Sequence, residues 1–238
     1  MLSKSLRELY GVDEQLIDFP KPDEFVLPET AAKYIERVKT PQKYVEPNYH
    51  DAKRTFLRFY DEGITKTGKQ TIIDDELADI LPQLILWFLN RGRFSSKKGL
   101  FLAGAKGRSK TQIIRALQKM ADFYKMPKQF NFCDAPAIFD ACQYDRDFNI
   151  TKYYDDNLCI DDVGFSEPFI NSFGNIIRPI ESILRSRYNR FVASGQLTHV
   201  TTNLSVEQLK VHFDERILDR FNEMFNIIVF KGDSFRKA

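Results

Sequence analysis

Apolar positions recur at helical spacing most plainly in one segment. Ile113, Ile114, Leu117, Met120, Ala121 and Tyr124 share one face of a helix. Just before it come a short apolar run, residues 99–103 (GLFLA), and a glycine-containing loop, residues 104–109. Strand-like runs follow at residues 129–133, 158–161, 197–202 and 226–230, and helical stretches separate most of them. Strands alternating with helices predict an α/β domain built on a mainly parallel sheet. Upstream, residues 74–90 read as a helix with an acidic start and an apolar body, interrupted by Pro82. Pro20, Pro22, Pro28, Pro41 and Pro47, half of the ten prolines, precede it. Only short helices fit between them, such as residues 3–10 and 30–38. The expected division is an N-terminal extension over residues 1–70, a possible partner-binding segment, and a core over 71–238.

Composition narrows the class. The chain has 238 residues, 43% of them hydrophobic and 29% charged, as in a folded globular protein. A net charge of +2 is low for a protein that grips duplex DNA by charge alone. The longest apolar run, residues 84–89 (LILWFL), is far too short to span a membrane, and the first residues lack a signal-peptide core. A cytoplasmic protein without membrane contact is expected. Cys133, Cys142 and Cys159 read as free thiols. His50, His199 and His212 are scattered, which speaks against structural zinc.

The loop between strand and helix carries the first chemistry. Gly104, Ala105, Lys106, Gly107, Arg108, Ser109, Lys110 and Thr111 follow the P-loop pattern G-x-x-x-x-G-K-[ST], with Gly104, Lys110 and Thr111 in register. In such a loop, backbone N–H groups converge on phosphate oxygens at a helix N-terminus. Lys110 would neutralise the β and γ phosphates of ATP, and the Thr111 hydroxyl would help hold Mg2+. The sixth position is Ser109 where the pattern has glycine. Glycine permits a backbone conformation that a Cβ hinders, so reduced or lost nucleotide affinity is expected.

The run at 158–161 ends in two acids, within NLCIDDVG. At the C-terminal end of a strand both can reach the crevice where open α/β sheets bind ligands. Asp161 is the candidate for the Mg2+ shell and Asp162 for polarising the attacking water. Further on, LTHVTTNLS ends a strand in Thr202 and Asn203, and Asn203 at that tip is placed to orient water. In FDERILDRF, Arg216 and Arg220 stand four apart on one helix face. They either pair with acids of the same helix or meet an anion on a neighbouring subunit, as an arginine finger would. Arg178, Arg185, Arg187 and Arg190 read as a solvated helix face, with contact to single-stranded nucleic acid or the next subunit as the sharper alternative.

Taken in order, GLFLAGAKGRSKT, LCIDDVG, THVTTNLS, DERILDRF and GDSFRK resemble the DnaC/DnaI-type replicative helicase loaders, with the IstB-type transposition helpers as close relatives. The resemblance runs from about residue 75 to the end. It implies a P-loop NTPase AAA+ core, with a five-stranded parallel sheet between helices and no C-terminal helical lid. It also implies ATP and Mg2+ at a subunit interface, self-association through Arg220 as the finger, and Arg236 as a second phosphate contact. The implied partners are a replicative helicase hexamer and single-stranded DNA. Ala135–Tyr144 matches the extra DNA-facing helix of this branch but contains no Lys or Arg. The rival expectation is a non-hydrolysing interaction module, motivated by Ser109 and by an Asp at position 162 where many relatives carry Glu.

Overall fold

The alternation of apolar and polar runs folds into a three-layer structure. The computed structural model describes residues 44, 46–164, 168–172, 174–232 and 234–235. In chain order the elements are helices α1 (Tyr49–Thr65) and α2 (Asp75–Phe88), strand β1 (Gly99–Gly104), helix α3 (Lys110–Phe123), strand β2 (Asn131–Asp134), helix α4 (Ala135–Tyr144) and strand β3 (Leu158–Val163). Strands β4 (Ile170–Ser172) and β5 (Asn175–Ile177) come next, then helix α5 (Pro179–Ser194), strand β6 (Thr198–Thr202), helices α6 (Val206–His212) and α7 (Glu215–Met224), and strand β7 (Phe225–Phe230). Five strands pair in parallel in the order β2–β3–β6–β1–β7. β4 and β5 form a separate antiparallel hairpin that the sequence did not announce.

Side-chain alternation along β1 sets the two cores. Leu100 and Leu102 face a cluster built by α1, α2 and α3, whereas Phe101 and Ala103 face one built by α4 to α7. A sheet covered on both faces explains why these strands read as nearly continuous apolar runs. The expected helical face Ile113, Ile114, Leu117, Met120 and Ala121 is buried in α3. Pro82 does not interrupt α2. It lacks the N–H that would bond back along the helix, but Leu77, Leu81, Leu84, Ile85, Trp87 and Phe88 are buried around it. That apolar face outweighs the local cost of proline.

The compact unit begins at Tyr44, not at residue 71. α1 lies inside the stretch assigned to an extension, yet Ala52, Phe56 and Tyr60 are fully buried within it. Asn48 caps its first turn by accepting from Asp51 N–H. The proline spacing drew attention to the first 47 residues and hid the amphipathic pattern that follows. The short helices expected at residues 3–10 and 30–38 lie outside the described residues.

The arginines of α5 divide by burial. Arg178 and Arg185 pair with Glu181, Arg185 also with Asp214, and Arg190 with Asp155, so these three satisfy the solvated-face reading. Arg187 does not, because it is completely buried. Its guanidinium donates to the carbonyls of Tyr153, Asp156 and Leu197 at 2.8 Å each and to the Thr198 hydroxyl at 2.7 Å. It thus ties the approach to β3 to the start of β6. Burial pulls its pKa down to about 10. Arg187→Met keeps the length but leaves those acceptors without donors. A stability loss of about 3 kcal/mol is expected in urea unfolding. A loss below about 1 kcal/mol would show that water replaces the guanidinium.

Candidate functional site

β1, β3 and β6 are the central strands, and their C-terminal ends open on one cavity of about 890 Å3. Its lining includes Lys106, Gly107, Ser109, Lys110 and Thr111 from the loop, Asp161 and Asp162 from β3, and Thr201 and Asn203 from β6. The sheet order explains the convergence. β6 lies between β1 and β3, so the loop, the two acids and the Asn tip stand side by side.

The loop leaves β1 at Gly104, whose φ is +132°. A Cβ there would sit 2.2 Å from the Phe230 carbonyl oxygen, so only glycine fits. The loop enters α3 through Ser109, with φ 57° and ψ 20° in the left-handed region. Ser109 therefore adopts the conformation for which glycine is suited, at a local cost of about 1 kcal/mol. Its side chain makes no capping bond to α3. Lys110 is only 6% exposed. Its ammonium donates to the carbonyls of Gly104 (2.8 Å) and Ala105 (2.9 Å) and to Asn203 Oδ1 (2.8 Å). The lysine is thus folded onto its own loop, and an incoming phosphate has to exchange those bonds. Arg108 does not line the cavity. Its guanidinium pairs with Asp74 and Glu76 instead.

The acids are organised by β6. Thr111 donates to Asp161 Oδ1 at 3.0 Å, and Thr201 donates to the same oxygen. Burial raises the Asp161 pKa, while the two hydroxyl bonds pull it down. Asp162 takes φ 56°, and the pairing of β3 with β6 shifts register between Ile160 and Val163. This bulge is how two adjacent strand residues come to line one cavity, when a regular strand would send them to opposite faces. Asp162 N–H donates to Thr201 Oγ1 at 2.9 Å, and Asn203 Nδ2 donates to the Asp162 carboxylate. Asn203 therefore bridges Lys110 and Asp162. Thr202, named with Asn203 in the sequence, turns away and donates to the Val163 carbonyl.

Three contributors were not read from the sequence. Thr201 holds both acids, and strand alternation pairs it with Asn203, so period-two reasoning was enough to find it. Asp134 ends β2 in register with Asp161 and also lines the cavity. Burial and then Asp162 raise its pKa. The third is the end of α1 and the stretch after it, where Ile64, Thr67, Lys69, Gln70 and Ile72 form a wall. Nothing local marks that stretch, because only the docking of α1 on α3 brings it there.

The remaining candidates stand apart. Arg220 lies outside the cavity, its guanidinium 4.3 Å over the Tyr188 ring. Neither it nor Arg216 makes an ion pair among the described residues. Asp214 of the same motif caps α7 by accepting from Ile217 N–H. Arg236 lies outside the described residues.

Sheet order, loop and paired acids together give the chain the fold of a P-loop NTPase core of the AAA+ type. Solved structures agree. DnaI aligns with a TM-score of 0.52 at 19% identity, over 70% of this chain and 88% of its own. The DnaC helicase loader gives 0.52 at 22%, over 72% and 98%. A primosome component from Streptococcus pyogenes gives 0.53 at 14%, over 76% and 90%. The resemblance seen in the motifs thus holds at the level of the fold. No protein-family model and no curated protein sequence matches the chain.

The residues present fit ATP and Mg2+. The cavity volume suits a nucleotide. Among the described residues no three His, Cys, Asp or Glu groups are placed to hold a metal by themselves. Mg2+ commonly takes one or two carboxylates plus phosphate oxygens and water, and Asp161 beside Thr111 matches that requirement.

Proposed function

We propose that the chain is an ATP-binding AAA+ protein of the helicase-loader type, which uses nucleotide state to control assembly with a replicative helicase or with single-stranded DNA. One observation carries the reading: Lys110, Thr111, Asp161, Asp162 and Asn203 converge on one cavity from three adjacent strand ends. ATP supplies the β–γ anhydride to be cleaved, and Mg2+ neutralises charge on its phosphates. Lys110 and the N-terminus of α3 would bind the phosphates, and Thr111 and Asp161 would hold the metal's shell. Asp162, steadied by Asn203 and Thr201, positions the attacking water on the γ phosphorus. Arg220 lies outside its own cavity, which suits a residue that acts on a neighbouring subunit. The helicase partner is supported by the likeness to the DnaC helicase loader.

The test is a titration with a fluorescent ATP analogue and Mg2+, followed by turnover with and without single-stranded DNA. Saturable binding and slow hydrolysis are expected. Asp162→Asn should keep nucleotide binding and lower turnover by about 100-fold. Equal turnover in the variant would remove Asp162 from the mechanism. The lysine folded onto its own loop favours a second reading, a nucleotide-free interaction module, and absence of binding at millimolar nucleotide would establish it.

A further inference from the structure

We infer that Arg108 is a positioning residue for the phosphate loop: its caged guanidinium holds the backbone that lets Ser109 occupy the position of a glycine. The inference rests on the nucleotide-site reading and concerns how that site keeps its shape.

The cage is closely defined. The Arg108 side chain is 1% exposed. Nη1 donates to Asp74 Oδ2 at 2.7 Å and Nη2 to Asp74 Oδ1 at 3.1 Å, while Nη2 also meets Glu76. The Phe235 ring lies 4.3 Å from the guanidinium carbon. Glu76 in turn accepts from Lys231 N–H at 2.7 Å and from Gly232 N–H at 3.2 Å. A Cβ on Gly232 would fall 2.7 Å from the guanidinium carbon, so the chain after β7 passes directly against it. Phe235 N–H donates to the Gly107 carbonyl at 3.2 Å. One side chain therefore joins the start of α2, the phosphate loop, Gly232 and Phe235.

The position of the cage gives it a consequence. Ser109 is left-handed without glycine's freedom, and a loop free to relax would leave that conformation. On one side, Arg108 is fixed by two carboxylates and an aromatic face. On the other, the Ser109 carbonyl accepts from Ile113 N–H at 2.9 Å. The residue between two fixed points keeps the only turn that connects them. A buried guanidinium cannot turn away from its carboxylates at low cost, which makes the constraint stiff. The motif GRSK thus carries its own compensation: the arginine restrains the loop where the serine would loosen it. The same contacts make Gly232 and Phe235 a second support of the phosphate loop.

Dissociation constants for a fluorescent ATP analogue with Mg2+ test this across Arg108→Met, Ser109→Gly and the double variant, with thermal unfolding as the check on folding. Arg108→Met is expected to weaken binding by about tenfold or more. Ser109→Gly should bind at least as tightly as wild type. The double variant should return to within about threefold of Ser109→Gly alone, because glycine takes the left-handed conformation without the strain that the cage offsets. A role in stability alone predicts no such rescue. Folded Arg108→Met with wild-type affinity overturns the inference, and so does a double variant that binds no better than Arg108→Met. Should Arg108→Met not fold, Asp74→Asn keeps the cap on α2 and weakens only the ion pair. It should bind several-fold more weakly and be rescued by Ser109→Gly, and wild-type affinity there overturns the inference equally. If wild type itself binds no nucleotide, the site reading falls. If wild type binds and these variants do not differ from it, only the inference falls.

Discussion

Lys110→Ala is expected to abolish nucleotide binding while leaving the protein folded. The ammonium is nearly buried at the N-terminus of α3, where the helix dipole already favours an anion. Its three donors now satisfy two loop carbonyls and Asn203. With nucleotide bound they would turn to phosphate oxygens as charge-assisted bonds, worth about 1.5–3 kcal/mol each. Losing two of them weakens binding by at least about 100-fold. Lys110 itself lines the cavity, so water can take its place against the freed carbonyls and stability should change little. The check is the dissociation constant of a fluorescent ATP analogue beside a thermal melt. Unchanged affinity would mean that the loop is not the phosphate site.

Acid should destabilise the protein through His199. This residue lies fully buried in β6, with its ring centroid 5.5 Å from Trp87 and 4.4 Å from Phe130. Nδ1 accepts from Leu100 N–H at 3.1 Å, and Nε2 has no partner. Burial, reinforced by Arg187 and Lys128, pulls the pKa down to about 3 from the ordinary 6.5. The unfolded chain therefore takes up a proton below pH 6.5 that the folded one refuses until about pH 3. Stability is fully present above pH 6.5 and falls between those values, by about 5 kcal/mol in all at 1.36 kcal/mol per pH unit. Burial and Glu46 settle Lys128 at about 8, so its own contribution changes at higher pH and does not overlap this window. His199→Asn keeps an acceptor for Leu100 N–H and removes the titration. Between pH 6.5 and 4.5 wild type should lose about 3 kcal/mol more than the variant in urea unfolding. Parallel profiles would show that the imidazole is protonated within the fold or solvated there.

Much of the core was legible because its signals are local. The face of α3, the five parallel strands and the chain order of loop, acids and Asn follow from periodicity and from residue types at strand ends. Those same features placed Lys110, Thr111, Asp161, Asp162 and Asn203, which the fold brings to one cavity. Other roles were hidden because the same residue type serves several purposes. Four arginines in one stretch look alike in sequence, yet Arg187 crosses to carbonyls of another segment while its neighbours pair with acids in or near solvent. Arg108 is marked in sequence only as part of the phosphate loop, yet its side chain is the centre of a buried cage.

The sequence alone determined the fold class and the order of the site's parts, since burial of alternating faces and the dihedral needs of a phosphate loop act over a few residues. The tertiary structure decided the rest. It placed α1 in the core and its following loop at the cavity wall, because an amphipathic face shows that it must be covered but not by what. It also introduced the bulge at Asp162, which depends on pairing with β6. Finally, it tied residues after β7 to Arg108, because an ion pair between distant segments leaves no local trace in either one.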